Sequence, residues 1–293
     1  MRPPFVRRPT GSRAARPRPA GSLPAWALFL RGMSSLGSRC ELLLTGVRVL
    51  DAWLGRGVTA GESHLAESAS AELQHPRDSG PHRSDSEAKS EGMLELRWTG
   101  PDDERLLAGA LREICERPAA LGSPGFDPAS LRRDAGSGQW LVDVGGSTLA
   151  LVIRGADPVS PESVDLTLAQ LPDTRVRAVS RETLAAEALA CALKEHAPEE
   201  ASPHLACASR LARALPLDGA SLGHALELAF RREPLPSPAF LAALIESSAP
   251  RADTALLLDL FRLPLTRLDA GLPLAMAWPA GGPWRFTGHW RFG

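Results

Sequence analysis

Residues 175–196 read RVRAVSRETLAAEALACALKEH, a short strand running directly into a helix. Val176, Ala178 and Val179 supply the strand character. Ser180 is a good N-cap because its hydroxyl can accept from a free amide of the first turn. Glu182 then falls in that turn, where the helix dipole favours an acid. Leu184, Ala188 and Cys191 share one face at i, i+4, i+7, and Leu189 and Leu193 widen it. Arg181, Glu187 and Lys194 fall elsewhere, which predicts an amphipathic helix with one buried face.

Before this unit, residues 26–39 predict a helix ending in a Gly/Ser loop, and residues 41–55, ELLLTGVRVLDAWLG, predict an apolar strand broken at Thr45-Gly46. Val47, Leu50 and Leu54 then fall at helical spacing. MLELRW at 93–98 alternates and predicts a strand, and Pro101-Asp102-Asp103 starts a helix running to about residue 117. Leu106, Leu107, Leu111 and Ile114 are its expected core face. A hairpin is expected across Gly145-Gly146, and a weak strand at 164–168. After Ser180 the chain predicts helices at 180–196, 204–215, 221–233, 237–247 and 251–262, with Pro-containing joints. The tail carries Trp278, Trp284, Phe286, Trp290 and Phe292, an aromatic set that suits packing back over the core.

Two segments predict disorder. Residues 1–22 are rich in Arg, Pro and Gly, with no acid before Glu41. An acid-poor, Arg-rich start also suits a targeting peptide, but prolines at 3, 4, 9, 17 and 19 argue against an amphipathic helix. Residues 62–92 hold seven serines and only Leu65 and Leu73 as large apolar side chains, too little to offset the cost of ordering.

The 293 residues are 44% hydrophobic, enough for a core, and the net charge of -1 gives no whole-chain attraction to DNA or a membrane surface. No run approaches the ~18 apolar residues of a membrane span. Cys40, Cys115, Cys191 and Cys207 form no CxxC or zinc spacing and read as free thiols of a reducing, cytoplasmic setting. Of 33 basic residues only Lys89 and Lys194 are lysine, and tyrosine is absent.

Five phrases in a fixed order carry a family resemblance: residues 27–39 leading into LLLTGVRVLDAWLG; DDERLLAGALREICERP at 102–118; VSRETLAAEAL at 179–189; LPLDGASLGHALELAFRRE at 215–233; and GPWRFTGHW at 282–290. In this order the chain resembles the AbiEii/AbiGii-type nucleotidyltransferase toxins of bacterial abortive-infection systems. The resemblance implies an α+β fold: a small mixed-sheet nucleotidyltransferase-like domain at 27–173, followed by a helical domain with its aromatic tail at 174–293. It implies transfer of a nucleotide from an NTP to an RNA or protein acceptor, Mg²⁺ and NTP as cofactors where active, and a cognate antitoxin protein as partner. Such chemistry needs convergent carboxylates for Mg²⁺, because the metal offsets charge on the phosphates. It also needs a glycine turn and a basic group for the triphosphate.

Carried over residue by residue, the family's glycine turn falls on Thr45 and Gly46. Its D-x-D pair falls on Met93 and Glu95, leaving Glu95 as the one candidate metal ligand and catalytic acid on a strand. Glu62/His64 and Asp85/Glu87 are alternative registers within the serine-rich insert, and Asp85 with Glu87 is the better of the two. The third acid falls on Val152, with Asp165 as an offset candidate. The family lysine falls on Ala188, and the last motif falls on residues 203–208, PHLACA, with His204 and Cys207 where acids are expected. The phrases that build the scaffold persist while the catalytic positions have changed. The expectation is a weak or inactive member, or a module that binds a partner protein, nucleotide or RNA. Arg154, Arg175 and Arg177 remain as basic groups that could meet phosphates in an active one.

Overall fold

The computed structural model describes residues 23–54, 93–117, 125–155, 163–169, 171–195 and 197–287. The expected disordered segments 1–22 and 62–92, with Asp85 and Glu87, lie outside the described residues, as do Trp290 and Phe292. The fold is α+β. A seven-stranded mixed sheet fills the first half, and five helices with a small three-stranded sheet follow it.

The first helix, α1 (Ala25–Leu36), ends at Gly37 and leads into β1 (Leu42–Leu44), whose three leucines are all buried. Gly46 starts α2 (Val47–Trp53), and β2 (Met93–Trp98) returns antiparallel to β1 with Leu44 opposite Leu96. Next comes α3 (Glu104–Glu116), where the Asp103 carboxylate caps the Arg105 amide at 2.8 Å. Its buried stripe is Leu111, Ile114 and Cys115, with Leu107 partly buried. Leu106, expected in the core, is 51% exposed, because it falls off the 3.6-residue stripe set by Leu107, Leu111 and Ile114.

β3 (Phe126–Arg133) is a strand the sequence did not announce. Pro128 interrupts its pattern, and the strand lies at the sheet edge with a register shift, where proline and bulges are tolerated. β4 (Trp140–Val144) and β5 (Ser147–Arg154) form the expected hairpin, and β5 then runs parallel to β2. β6 (Ser163–Leu168) and β7 (Leu171–Val179) pair antiparallel, and β7 joins β1 in parallel. The resulting order is β3-β4-β5-β2-β1-β7-β6, which puts β1 and β2 near the centre.

β7 feeds α4 (Arg181–Lys194), where the Ser180 hydroxyl accepts from the Thr183 amide at 3.1 Å, as a Ser N-cap should. The amphipathic expectation fails here. Residues 182–190 are buried without interruption, Glu187 included, because α4 lies under α5 (Pro198–Ala214) and α6 (Gly219–Ala229). Glu182, expected to serve the dipole, is also buried and accepts from the Asp218 amide at 3.0 Å.

α5 starts earlier than expected, at Pro198, and runs through Pro203. Proline at the first helical position costs no hydrogen bond, and Glu199 and Glu200 complement the dipole there. Burial of Ala201, Leu205 and Leu211 then outweighs the one bond Pro203 cannot make. α7 (Pro238–Ser248) and α8 (Arg251–Asp269) follow, and α8 likewise continues through Pro264. The aromatic tail packs back as expected in part: Trp278 is fully buried, donates to the Ala212 carbonyl at 2.9 Å and meets Trp284 edge-on at 5.4 Å. Phe286 is instead 61% exposed. β8 (Leu217–Asp218), β9 (Met276–Trp278) and β10 (Arg285–Phe286) make the small sheet.

Candidate functional site

Strand alternation splits β2 between two environments. Leu94 and Leu96 are fully buried in the core, while Glu95 and Arg97 face the helical half. In the parallel pairing of β2 with β5, Glu95 stands opposite Val152 and Arg97 opposite Arg154, so all four share one face. The Thr45 amide donates to the Glu95 carbonyl at 3.0 Å, which places the Thr45-Gly46 turn against the same strand. The expected glycine turn and Glu95 therefore do come together. So does Val152, an apolar side chain where the family resemblance expects a third acid.

Gly46 has φ 76 and ψ -155, a conformation essentially restricted to glycine. A methyl group there would lie 2.5 Å from the Glu95 carboxyl carbon and from its Oε2. The Glu95 carboxylate thus lies directly over the turn. Its partner is Arg154, whose guanidinium donates to Oε2 at 3.3 Å and also to the Cys191 sulfur of α4. Burial by itself would lower the Arg154 pKa; the Cys191 sulfur and the Glu95 and Glu187 carboxylates outweigh it and raise the pKa.

Below this pair sits a more deeply buried one. Arg97 and Glu187 form an ion pair with side chains only 11% and 10% exposed. The second Glu187 oxygen accepts from the Thr45 hydroxyl at 3.0 Å, and Thr45 is 2% exposed. On the other flank Arg210 of α5 donates to Asp51 of α2 at 3.2 Å. Cys207 lies in the field of Arg210, Glu95, Arg154 and Asp51, but burial dominates and pushes its thiol up to about 12.

Each arginine here already has a carboxylate. Glu187 has both oxygens engaged by protein donors, and Glu95 shares its own with Arg154. Mg²⁺ binds through several oxygens in near-octahedral geometry. Among the described residues no three His, Cys, Asp or Glu side chains converge as a metal site. Among the described residues, therefore, the donor set around Glu95 does not fit Mg²⁺.

The remaining predicted positions stay apart from this cluster or carry no charge. Asp165 stands opposite Arg177 at the β6 edge and lines a separate cleft of about 560 Å³ with Cys40 and Arg175. Arg177 is turned to the Cys40 carbonyl and the Ser163 hydroxyl. Ala188 is buried, and His204 lies 3.6 Å from Glu195. Sequence reasoning missed Arg97 and Glu187, the most buried charges of the site. The available signal was Glu187 itself, one acid inside an alanine- and leucine-rich helix.

No family model matches this chain, and no curated protein does. Among the solved structures similar to it are two at low identity. One is the nucleotidyltransferase toxin MenT4 of Mycobacterium tuberculosis H37Rv, at 16% identity and TM-score 0.45, over 84% of this chain and 82% of that one. The other is JHP933 of Helicobacter pylori, at 14% identity and TM-score 0.32, over 85% and 96%. Neither superposition is close enough to transfer a residue's role. Among the described residues no helix is long and apolar enough to cross a membrane.

Proposed function

We propose that this chain is a nucleotidyltransferase-fold protein of the AbiEii/AbiGii toxin type whose metal-dependent NMP transfer to an RNA or protein acceptor is lost. One observation carries the reading: arginine–carboxylate pairs fill the site where free acids would have to converge. Arg97, on the same face of β2 as Glu95, holds Glu187, while Arg154 holds Glu95. Two-metal phosphoryl transfer needs carboxylates free to hold the ions, and a guanidinium in direct contact competes for the same oxygens. Val152 and Ala188, where the resemblance expects an acid and a lysine, remove further charge stabilisation. Loss of even one such group costs about 10²–10³ in rate.

The protein then acts by binding, in the cytoplasm, to a partner of which a cognate antitoxin is the family example. The test is incubation of the purified full chain with each labelled NTP and Mg²⁺ or Mn²⁺, with tRNA or a co-expressed neighbouring protein as acceptor. No labelled acceptor is expected. A labelled product that disappears on Glu95→Gln would overturn the reading, because Glu95 would then be serving as a catalytic acid.

A further inference from the structure

The seven-stranded sheet has two edges, and their sequences differ in kind. At one edge β3 carries Pro128 and a register shift, two devices that spoil an edge for further pairing. At the other, β6 reads SVDLTL, with no proline and no basic residue, and among the described residues β7 is its one neighbour. Its irregularity falls only at Leu168, its last residue. The antiparallel register sets Asp165 opposite Arg177 and Thr167 opposite Arg175, so these four side chains form one row on one face. Asp165, Arg175 and Arg177 also line the cleft of about 560 Å³, so this row borders open space. Within it Arg177 is turned to the Cys40 carbonyl and the Ser163 hydroxyl. Asp165 and Arg175 are both exposed, and among the described residues neither side chain has an ion-pair or hydrogen-bond partner.

We infer that β6 is a self-pairing edge: a second copy of this chain adds its own β6 antiparallel, across a two-fold axis at Leu166, and the two sheets become one. The choice of register follows from the pleat. Paired residues must lie on the same face, so a two-fold axis normal to the sheet passes through a residue rather than between two. Centring on Asp165 or on Leu166 keeps the most of Ser163–Leu168 paired. Asp165 at the centre would set two carboxylates directly against each other, which is destabilising. Leu166 at the centre sets it against Leu166 of the second copy and Val164 against Leu168, and so extends the apolar row of the opposite face. It also sets Thr167 against Asp165 of the second copy. Arg175 stands behind Thr167 in the same row. Two strand spacings, about 9–10 Å, then separate the Arg175 and Asp165 backbones. An extended arginine and an aspartate span that distance over the short threonine.

The two charges left without a partner within one chain thus meet across the axis, and they do so twice by symmetry. This self-complementarity is what selects a second copy as the occupant: the edge supplies both the acid and the base that the pairing needs. The inference is independent of the loss of metal chemistry, because β1 and β7 separate β6 from the strand that carries Glu95. One strand pairing is smaller than the ~1,200–2,000 Å² of a stable interface, so the dimer should be reversible and concentration-dependent.

The test is sedimentation velocity of the purified full chain across a concentration series. Wild type should show a reversible monomer–dimer equilibrium. Asp165→Arg and Arg175→Asp, each of which brings like charges together twice per dimer, should each raise the dissociation constant at least tenfold. The double variant Asp165→Arg with Arg175→Asp exchanges the two charges and should recover most of the wild-type affinity. Circular-dichroism melts of all four proteins establish that each is folded. A wild type that stays monomeric at every concentration would overturn the proposal and leave the edge to a strand of some other chain. A dimer that neither single variant weakens would overturn it as well, since the contact would then lie elsewhere. So would a double variant as weak as the singles, because the pairing of Asp165 with Arg175 across the axis would not exist.

Discussion

Glu187→Ala should be among the most damaging single substitutions in the protein. The Glu187 side chain is 10% exposed and faces Arg97 at 11%, so the pair is largely out of water. At ~4 Å and an effective dielectric of ~20, two unit charges attract by about 4 kcal/mol. Glu187 also accepts from the buried Thr45 hydroxyl at 3.0 Å, and a hydrogen bond to a charged group contributes roughly 1.5–3 kcal/mol. These gains offset the cost of desolvating two ions, so the pair's net worth is much smaller than their sum. Removing one partner forfeits the attraction and keeps the other ion's desolvation cost. That loss is about 3–5 kcal/mol for a buried pair. Against a total stability of ~5–15 kcal/mol it is a large fraction. At roughly 2–4 °C per kcal/mol for a chain of this general size, the melting point should fall by about 6–20 °C. The informative comparison is the double substitution Arg97→Met with Glu187→Leu. It removes both ions, keeps side-chain volume, and should recover most of the loss. Urea unfolding of wild type, both single variants and the double gives the coupling directly. A Glu187→Ala loss below ~1 kcal/mol would refute the reasoning, since the pair would then be behaving as a solvated surface contact.

Gly46→Ala should destabilise by about 1–3 kcal/mol, the cost of a non-glycine residue in this backbone region, and more where the new methyl meets the Glu95 carboxyl. Chemical denaturation in the wild-type and Glu95→Ala backgrounds should show a smaller loss in the second. Equal losses would mean that Glu95 does not lie over the turn. The Cys207 thiol, raised by burial from 9.0 to about 12, stays protonated in the folded chain at pH values where the unfolded chain has ionised it. The folded state then binds more protons than the unfolded one, so this contribution is fully present below pH 9.0 and is lost as the pH climbs from there toward 12. Alkaline unfolding curves of wild type and Cys207→Ala should differ in slope only above pH 9.0; identical slopes throughout would contradict the burial.

Much of the chain's organisation was fixed by local pattern. The unit β7–Ser180–α4 follows from a strand-like run, a hydroxyl placed to cap the Thr183 amide, and an alanine-rich helix without proline. The break at Thr45-Gly46, the alternation of MLELRW and the glycine hairpin at 145–146 are likewise interactions of residues a few positions apart, and each element formed where they lie. Locality also explains the misses. Proline inside α5 and α8 reads locally as a helix boundary, but burial of apolar side chains by neighbouring helices outweighs one lost hydrogen bond. Only the tertiary structure decided the chemistry of the site. Glu187 reads as a polar residue on the open side of a helix, yet α4 is covered on the side that was expected to face water. Its two partners come from 142 residues away at Thr45 and 90 at Arg97. Whether a carboxylate is free to hold a metal depends on which cation the fold delivers to it. No spacing within α4 or β2 specifies that, because the arginine that holds Glu95 or Glu187 comes from a different element.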